Sequence, residues 1–485
     1  MTDTALVWLR RDLRLADQPA LHAAATRHSR VLPVYIHAPE EEAPWSPGGA
    51  SQWWLHHSLI ALGESLARLG SPLLIRRGDS LATLRALARE VGASAVYWTR
   101  VYEPTAIARD KAVKETLRAD GLIAESFNAA LLFEPWELKT GAGEPYRVFS
   151  PFWRNAEARL ASLPPPLPAP SHLIAPERSP ESLPVAALGL LPTIAWDGGF
   201  YEHWTPGEAG AQQRLQRFAA EPIRRYKEQR DQPAVQATSA LSPHLHFGEL
   251  SPRTALAAAH DAARETGPGW LANAEHFVRE LGWREFSHHL LFHYPTTPDQ
   301  PMYAKFAPFP WREPADYAAD LRAWQRGHTG IPIVDAGMRQ LWHSGWMHNR
   351  VRMIVASLLT KNLLIPWQEG ARWFWDTLVD ASLPQNSLGW QWSAGCGADA
   401  APYFRIFNPV LQGEKFDGAG AYTRHWVPEV AKLPEKYLHR PWEAPSEIRR
   451  AAGIALDSVY AQPVIDLAKS RDRALAAYET IKAGG

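Results

Sequence analysis

The period of the hydrophobic pattern changes once along this chain, and that change limits the fold more than any single motif. Up to about residue 130, short β-rich runs alternate with helical stretches. Ala5–Leu9, Val31–Ile36, Leu73–Arg77, Ala95–Trp98 and Leu122–Phe127 predict strands, and 3.6-type apolar spacing predicts helices over Ser51–Leu69 and Ser80–Val91. Such alternation implies a doubly wound parallel sheet covered on both faces. From about Pro206 the β signal disappears, and helical patterns run to roughly Ala477. Between these regions nine prolines fall from Pro164 to Pro192, a density that neither a helix nor a central strand tolerates. The expected organisation is an α/β domain over 1–133, a proline-rich surface linker over 134–205, and a larger all-α domain over 206–477.

Composition removes several classes. A length of 485 residues suggests about three units. At 46% hydrophobic and 21% charged, the chain is globular. Lys+Arg 51 balances Asp+Glu 51, so any polyanion-binding surface has to be local. A single cysteine, Cys396, excludes a disulfide framework, a Cys-rich zinc site and a four-cysteine iron–sulfur cluster. There is no cationic, apolar leader and no run near the roughly 20 apolar residues of a membrane span, so a cytoplasmic protein with no membrane contact is expected. The chain closes on Ala-Gly-Gly without a long tail. Trp 22 exceeds both Phe 16 and Tyr 14, which fits either an indole-rich core or a use for indole in stacking or electron transfer.

The α/β part looks Rossmann-like but has no dinucleotide grip. No full G-x-G-x-x-G occurs, and the looser Gly267-x-Gly269-x-x-Ala272 and Gly395-x-Gly397-x-x-Ala400 follow no strand. This argues against a nicotinamide-dependent oxidoreductase. Nucleophile-elbow and Walker A sequences are also missing, so hydrolase and phosphotransfer readings lack support. His289 and His293 stand at i and i+4, but no matching carboxylate accompanies them and no metal is expected.

Other groupings suggest chemistry. Thr238-Ser239-Ala240-Leu241-Ser242-Pro243 sets three hydroxyls at a helix start, which is either ordinary capping or a phosphate site. Ser242-Pro243 and Ser251-Pro252 read as N-caps followed by proline. On a helix predicted over Ala274–Phe292, Glu280 and Trp283 share a face, so a base edge can meet the carboxylate while its plane meets the indole. Residues 336–368 contain no Asp or Glu but do contain Arg339, Arg350, Arg352 and Lys361, a local patch suited to phosphates. Asn349, Arg352 and Met353 converge on one helical face, where the guanidinium needs a partner such as Asp380. Asn386-Ser387-Leu388-Gly389-Trp390-Gln391-Trp392 reads as a glycine-broken loop carrying an amide and two indoles.

Several blocks resemble the photolyase/cryptochrome family. They are Val7-Trp8-Leu9-Arg10-Arg11-Asp12-Leu13-Arg14-Leu15, Trp283-Arg284-Glu285-Phe286, Thr329-Gly330-Ile331-Pro332-Ile333-Val334-Asp335-Ala336, Gly345-Trp346-Met347-His348-Asn349-Arg350, Gly389-Trp390-Gln391-Trp392 and Pro402-Tyr403-Phe404-Arg405-Ile406-Phe407-Asn408-Pro409. The resemblance runs in order from residue 5 to about 430. It implies a helical domain that binds FAD, active in its reduced, deprotonated form. It also implies light-driven repair of UV-damaged DNA by electron transfer to a flipped-out cyclobutane pyrimidine dimer.

Carried over by position, Tyr226, Thr238, Ser239, Ala240, Leu241, Ser242, Phe277, Arg352, Asp380, Ala381, Ser382 and Asn386 would hold FAD. Glu280, Trp283, Asn349, Met353 and Trp392 would hold the lesion, and Arg230, Arg284, Arg350 and Gln412 the DNA. Trp390, Trp367 and Trp311 would re-reduce the flavin. Glu103 would touch an antenna, expected to be 5,10-methenyltetrahydrofolate, with a deazaflavin, another flavin or no chromophore as the alternatives. Asn386, where many cryptochromes carry Asp or Cys, and Asn349 with Met353, where (6-4) photolyases usually carry histidines, favour dimer repair. The family's common Asp-x-Asp reads Asp380-Ala381-Ser382 here and loses a charge. A monomer is expected. The alternative expectation is a cryptochrome-like photoreceptor without repair activity.

Overall fold

The computed structural model describes residues 3–266, 268–400, 402–403 and 405–482. Gly267 and Phe404, used in the motifs above, lie outside the described residues, as do Met1, Thr2 and the closing Ala-Gly-Gly. Strands β1 (Thr4–Leu9), β2 (Arg30–His37), β3 (Leu74–Arg77), β4 (Ala93–Thr99) and β5 (Ile123–Phe127) form one sheet in the order β3-β2-β1-β4-β5. Every neighbouring pair is parallel. β1 is buried along its whole length, because its apolar side chains face helices on both sides of the sheet. Pro19–Arg27, Gly49–Leu69, Ser80–Val91 and Pro104–Ala119 are those helices. Strand order reverses between β1 and β4, and a small cavity of about 120 Å³ opens there, lined by Trp8, Arg10, Arg11 and Glu103 among others.

The expected linker does more than bridge. Leu173 N–H donates to Leu69 O (2.7 Å), Leu183 N–H donates to Ile75 O (3.0 Å), and Leu188 and Leu190 are buried in the sheet domain's core. The helix Phe149–Arg159, which falls inside the expected linker, packs Phe149, Phe152 and Trp153 into the helical half. A Pro-rich stretch without internal periodicity can still supply isolated apolar anchors, and composition hides them.

The rest is all helical. Its centre is built from Pro268–His293, Pro332–Ser344, Asn349–Ser357, Trp367–Thr377 and Leu383–Ala394. Two local expectations need correction. Asn386–Trp392 is no loop: it lies inside the helix Leu383–Ala394, which starts after Ser382 and is closed by Gly395 in the left-handed region at φ 85°. Gly389, the residue that suggested a break, faces open space within that helix and lines the large cavity described below. Ser242 is the first helical residue of the short helix Ser242–His246 rather than its cap. Ser251 does cap Pro252–Thr266, its Oγ accepting Thr254 N–H at 3.0 Å.

Candidate active site

A cavity of about 630 Å³ lies within the helical half, with one wall lent by the sheet domain. Glu103, Tyr226, Arg230, Ser239, Ser242, Phe277, Glu280, Trp283, Arg284, Asn349, Arg350, Arg352, Met353, Asp380, Ala381, Ser382, Asn386, Trp390 and Trp392 all line it. Thr238, Ala240, Leu241, Trp311, Trp367 and Gln412 do not.

Part of the lining is polar. Arg352 and Asp380 make a bidentate ion pair, Nη1–Oδ1 3.1 Å and Nη2–Oδ2 2.9 Å, while Arg352 Nε donates to Met347 O at 2.7 Å. This fork geometry fixes the guanidinium at the cavity wall and neutralises it there. The Asn386 amide donates to Ala371 O at 3.0 Å, and its Oδ1 accepts no bond among the described residues. The Ser382 hydroxyl is bonded to Gln385 Oε1 and so is spent within its own helical turn. The hydroxyl segment adds to this lining. Ala240 adopts φ 48°, in the left-handed region, and Ser239 and Ser242 reach the wall. Trp346 Nε1 lies 3.4 Å from Ser242 Oγ, tying that segment to the Arg352 side.

Another part of the lining is aromatic. Trp283 stacks on Phe149 with ring centroids 3.7 Å apart and planes at 8°, which uses one indole face and supports the ring from behind. Glu280 is ion-paired with Arg230, so that arginine, read from the sequence as a DNA contact, is engaged by the neighbouring carboxylate. Arg350 pairs with Asp231 (2.8 Å) and stands 4.4 Å from the Phe416 ring. Arg284 departs further from its expected role. Its Nη1 donates to Ala130 O (2.6 Å) and its Nη2 to Leu245 O (3.4 Å), and burial lowers its pKa. It joins the two halves from inside, its guanidinium held by two backbone carbonyls at the cavity wall. Glu103 is likewise held by Arg11. Gln412 is half-buried on the helix Pro409–Phe416, away from the cavity.

Of the three tryptophans assigned to electron transfer, Trp390 lines the cavity and packs on Phe374 (5.0 Å) and Trp324 (6.1 Å). Its ring lies against Gly370, where any Cβ would fall 2.0 Å from its Cη2. Trp367 is buried, and Trp311 is half-buried against Phe309. His289 is consumed by the backbone: Nδ1 lies 3.0 Å from Pro135 O, and Nε2 accepts Tyr146 N–H at 3.0 Å.

Sequence reasoning missed Phe149, Asp231 and the wall from the sheet domain, including Arg11, Arg100 and Tyr102. It also missed His246 and His288, whose burial lowers their pKa, that of His288 to about 3, so both imidazoles are neutral. None carries a local signal, because each reaches the cavity through a long-range contact.

A five-stranded parallel sheet joined to a helical half, with a large cavity lined from both, is the architecture of a two-domain protein with room for a bound cofactor. Residues 277–480 match the FAD binding domain of DNA photolyase, and residues 5–171 match DNA photolyase. The chain is 49% identical to the deoxyribodipyrimidine photo-lyase of Agrobacterium fabrum, over 99% of this chain and 98% of that one. It is 39% identical to cryptochrome-2 of Arabidopsis thaliana, over 97% of this chain and 78% of the other. Its structure is similar to a bacterial class III photolyase from Agrobacterium tumefaciens, with a TM-score of 0.94 and 48% identity, covering 100% of this chain and 98% of the other. The chain belongs to the photolyase/cryptochrome family and is an enzyme of the photo-lyase type with that family's FAD-binding domain. No helix among the described residues is long and apolar enough to cross a membrane.

Proposed function

We propose that this enzyme uses light and reduced FAD to split cyclobutane pyrimidine dimers in UV-damaged DNA. The observation that carries the reading is one cavity lined by two unlike groups of residues. One group is the Arg352–Asp380 pair with Asn386, and the other is Trp283, backed by Phe149, with Glu280.

The residues fit a flavin dinucleotide. Ser239, Ser242 and the left-handed turn at Ala240 suit a diphosphate, Arg352 suits the electron-rich edge of the flavin ring, and Asn386 has a free Oδ1 to accept a ring N–H. When bound, reduced and deprotonated FAD supplies the photoexcited electron that opens the cyclobutane ring. The chain's own residues bind and orient. Trp283 offers its free face to the extruded bases, while Met353 and Trp392 pack around them. Asn349 and the Glu280 oxygen not held by Arg230 meet their polar edges. A damaged pair stacks badly, which lowers the energy of flipping it into such a pocket. Arg350 and Gln412 would receive the flanking phosphates. Trp390, Trp367 and Trp311 would return the flavin to its reduced state between uses. A folate antenna beside Glu103 remains part of this proposal, as does a monomer acting in the cytoplasm.

A cryptochrome-like photoreceptor is the second reading, favoured by the 39% identity to a plant cryptochrome. An oligonucleotide holding one thymine dimer, mixed with the pre-reduced enzyme and exposed to blue light, separates the two. Light-dependent return of two thymines is expected. No return, with flavin bound and reduced, would move the protein to the photoreceptor reading.

A further inference from the structure

We infer that Glu202, His203 and His343 form a binding site for one divalent transition-metal ion of the zinc type, independent of the light-driven chemistry. The helix Gly198–His203 supplies Glu202 and His203, and the far end of Pro332–Ser344 supplies His343. One ligand atom from each lies within 4.8 Å of the other two, and Glu202 Oε2 is already 3.6 Å from His343 Nε2. Among the described residues this is the one group of three such side chains close enough to share an ion. A tetrahedral ion with bonds of about 2.0–2.2 Å spaces its ligands about 3.5 Å apart. The exposed side chains need only a small rotation to reach that spacing.

Two further observations suit a ligand. His203 Nδ1 is 2.9 Å from Gly199 O. An N–H on Nδ1 donating to that carbonyl leaves the lone pair on Nε2, and this outer bond is the one that orients metal-bound imidazoles. Gly199 also lets the two helices close on each other. A Cβ there would fall 2.2 Å from His343 O and 2.7 Å from its ring. The junction is held by Trp204 Nε1 donating to Ser344 O at 2.7 Å.

Two imidazoles and one carboxylate select zinc, nickel or copper ions over calcium or magnesium, which take oxygen ligands. None of the three residues lines either cavity. Exposure of His343 and Glu202 leaves the remaining coordination positions to water. Bound there, the ion clamps the end of the Pro-rich connector onto the helix that leads through Gly345 into the cavity wall at Trp346–Met353.

The test titrates Zn²⁺ alone into chelator-stripped holoenzyme by calorimetry, with Co²⁺ absorption reporting the ligand set. One equivalent of zinc and a raised melting temperature are expected. Glu202→Gln and His203→Ala should each weaken zinc binding about tenfold or more. Both should abolish the thermal shift and leave flavin content and light-driven activity unchanged. Glu202→Gln is isosteric at an exposed position, so folding does not confound it. Zinc bound equally well by both variants, or not bound by the parent protein, would overturn the assignment.

Discussion

Trp283 shows how one side chain can be both structural and available. One indole face is covered by Phe149 at 3.7 Å, its edge meets Phe286 at 6.0 Å, and the residue still lines the cavity. A rigid ring supported from behind needs little ordering when a second flat ring arrives, so stacking gains are kept. Trp283→Ala is therefore expected to weaken affinity for dimer-containing DNA by about 1–3 kcal/mol, a value typical of one base–aromatic stack. Flavin content should not change, since the Arg352–Asp380 pair is untouched. Binding assays on damaged and undamaged duplexes, with flavin absorbance as the control, measure both. Equal affinity for damaged DNA in variant and parent would remove Trp283 from the lesion pocket.

The helix Asn349–Ser357 carries Asn349, Arg350, Arg352 and Met353 to the cavity, and its first turn rests on a neutral histidine. His348 Nδ1 accepts Arg350 N–H at 3.2 Å, and burial lowers the His348 pKa from 6.5 to about 4. Protonation would turn that acceptor into a donor and place a charge beside Arg350. Because the folded-state value is depressed, this contribution is complete above pH 6.5 and is lost as pH falls from 6.5 through 4. At full extent it reaches about 3 kcal/mol. Denaturant unfolding at a series of pH values should give an acid-side slope that His348→Asn, a non-titrating cap, flattens by about one proton. Equal slopes would mean that other groups set the acid limit. The i, i+3, i+4 spacing of Asn349, Arg352 and Met353 was legible in the sequence, because a helix carries its own period. The apolar strands were legible for the same reason. The helix Leu383–Ala394 was not, since Gly389 and the polar Asn386–Ser387 pair read as a break when packing decides otherwise. The Phe149–Trp283 stack and the Glu202, His203 and His343 group were also out of reach, because their partners lie far apart in the chain.

The two halves are joined by buried polar contacts, several of them made by the end of the early arginine-rich motif and the residues just after it. Arg10 pairs with Asp110 and Arg11 with Glu42 and Glu103 inside the sheet half, while Arg14, only 2% exposed, serves backbone alone, that of Gly248 across the junction included. Its guanidinium donates to Asp17 O (2.6 Å), Gly248 O (2.8 Å), Ala129 O (2.9 Å) and Ala16 O (3.0 Å). Leu13 N–H donates to Phe247 O at 3.1 Å beside it. Gly248 permits the approach: it adopts φ 66°, and a Cβ there would fall 2.1 Å from Arg11 O. The sequence offered this motif as a family likeness, and its physical work appears only where the two halves meet. Arg14→Met keeps the side chain's bulk but leaves several buried carbonyls without donors. Unsatisfied buried acceptors cost about 1–3 kcal/mol each, so a loss of at least about 3 kcal/mol is expected. Calorimetry should record a lower unfolding midpoint. Flavin release should shift with it, because Arg11, Arg100 and Glu103 of the sheet half line the same cavity. An unchanged midpoint would mean that water replaces the guanidinium and that the other contacts between the halves suffice without it.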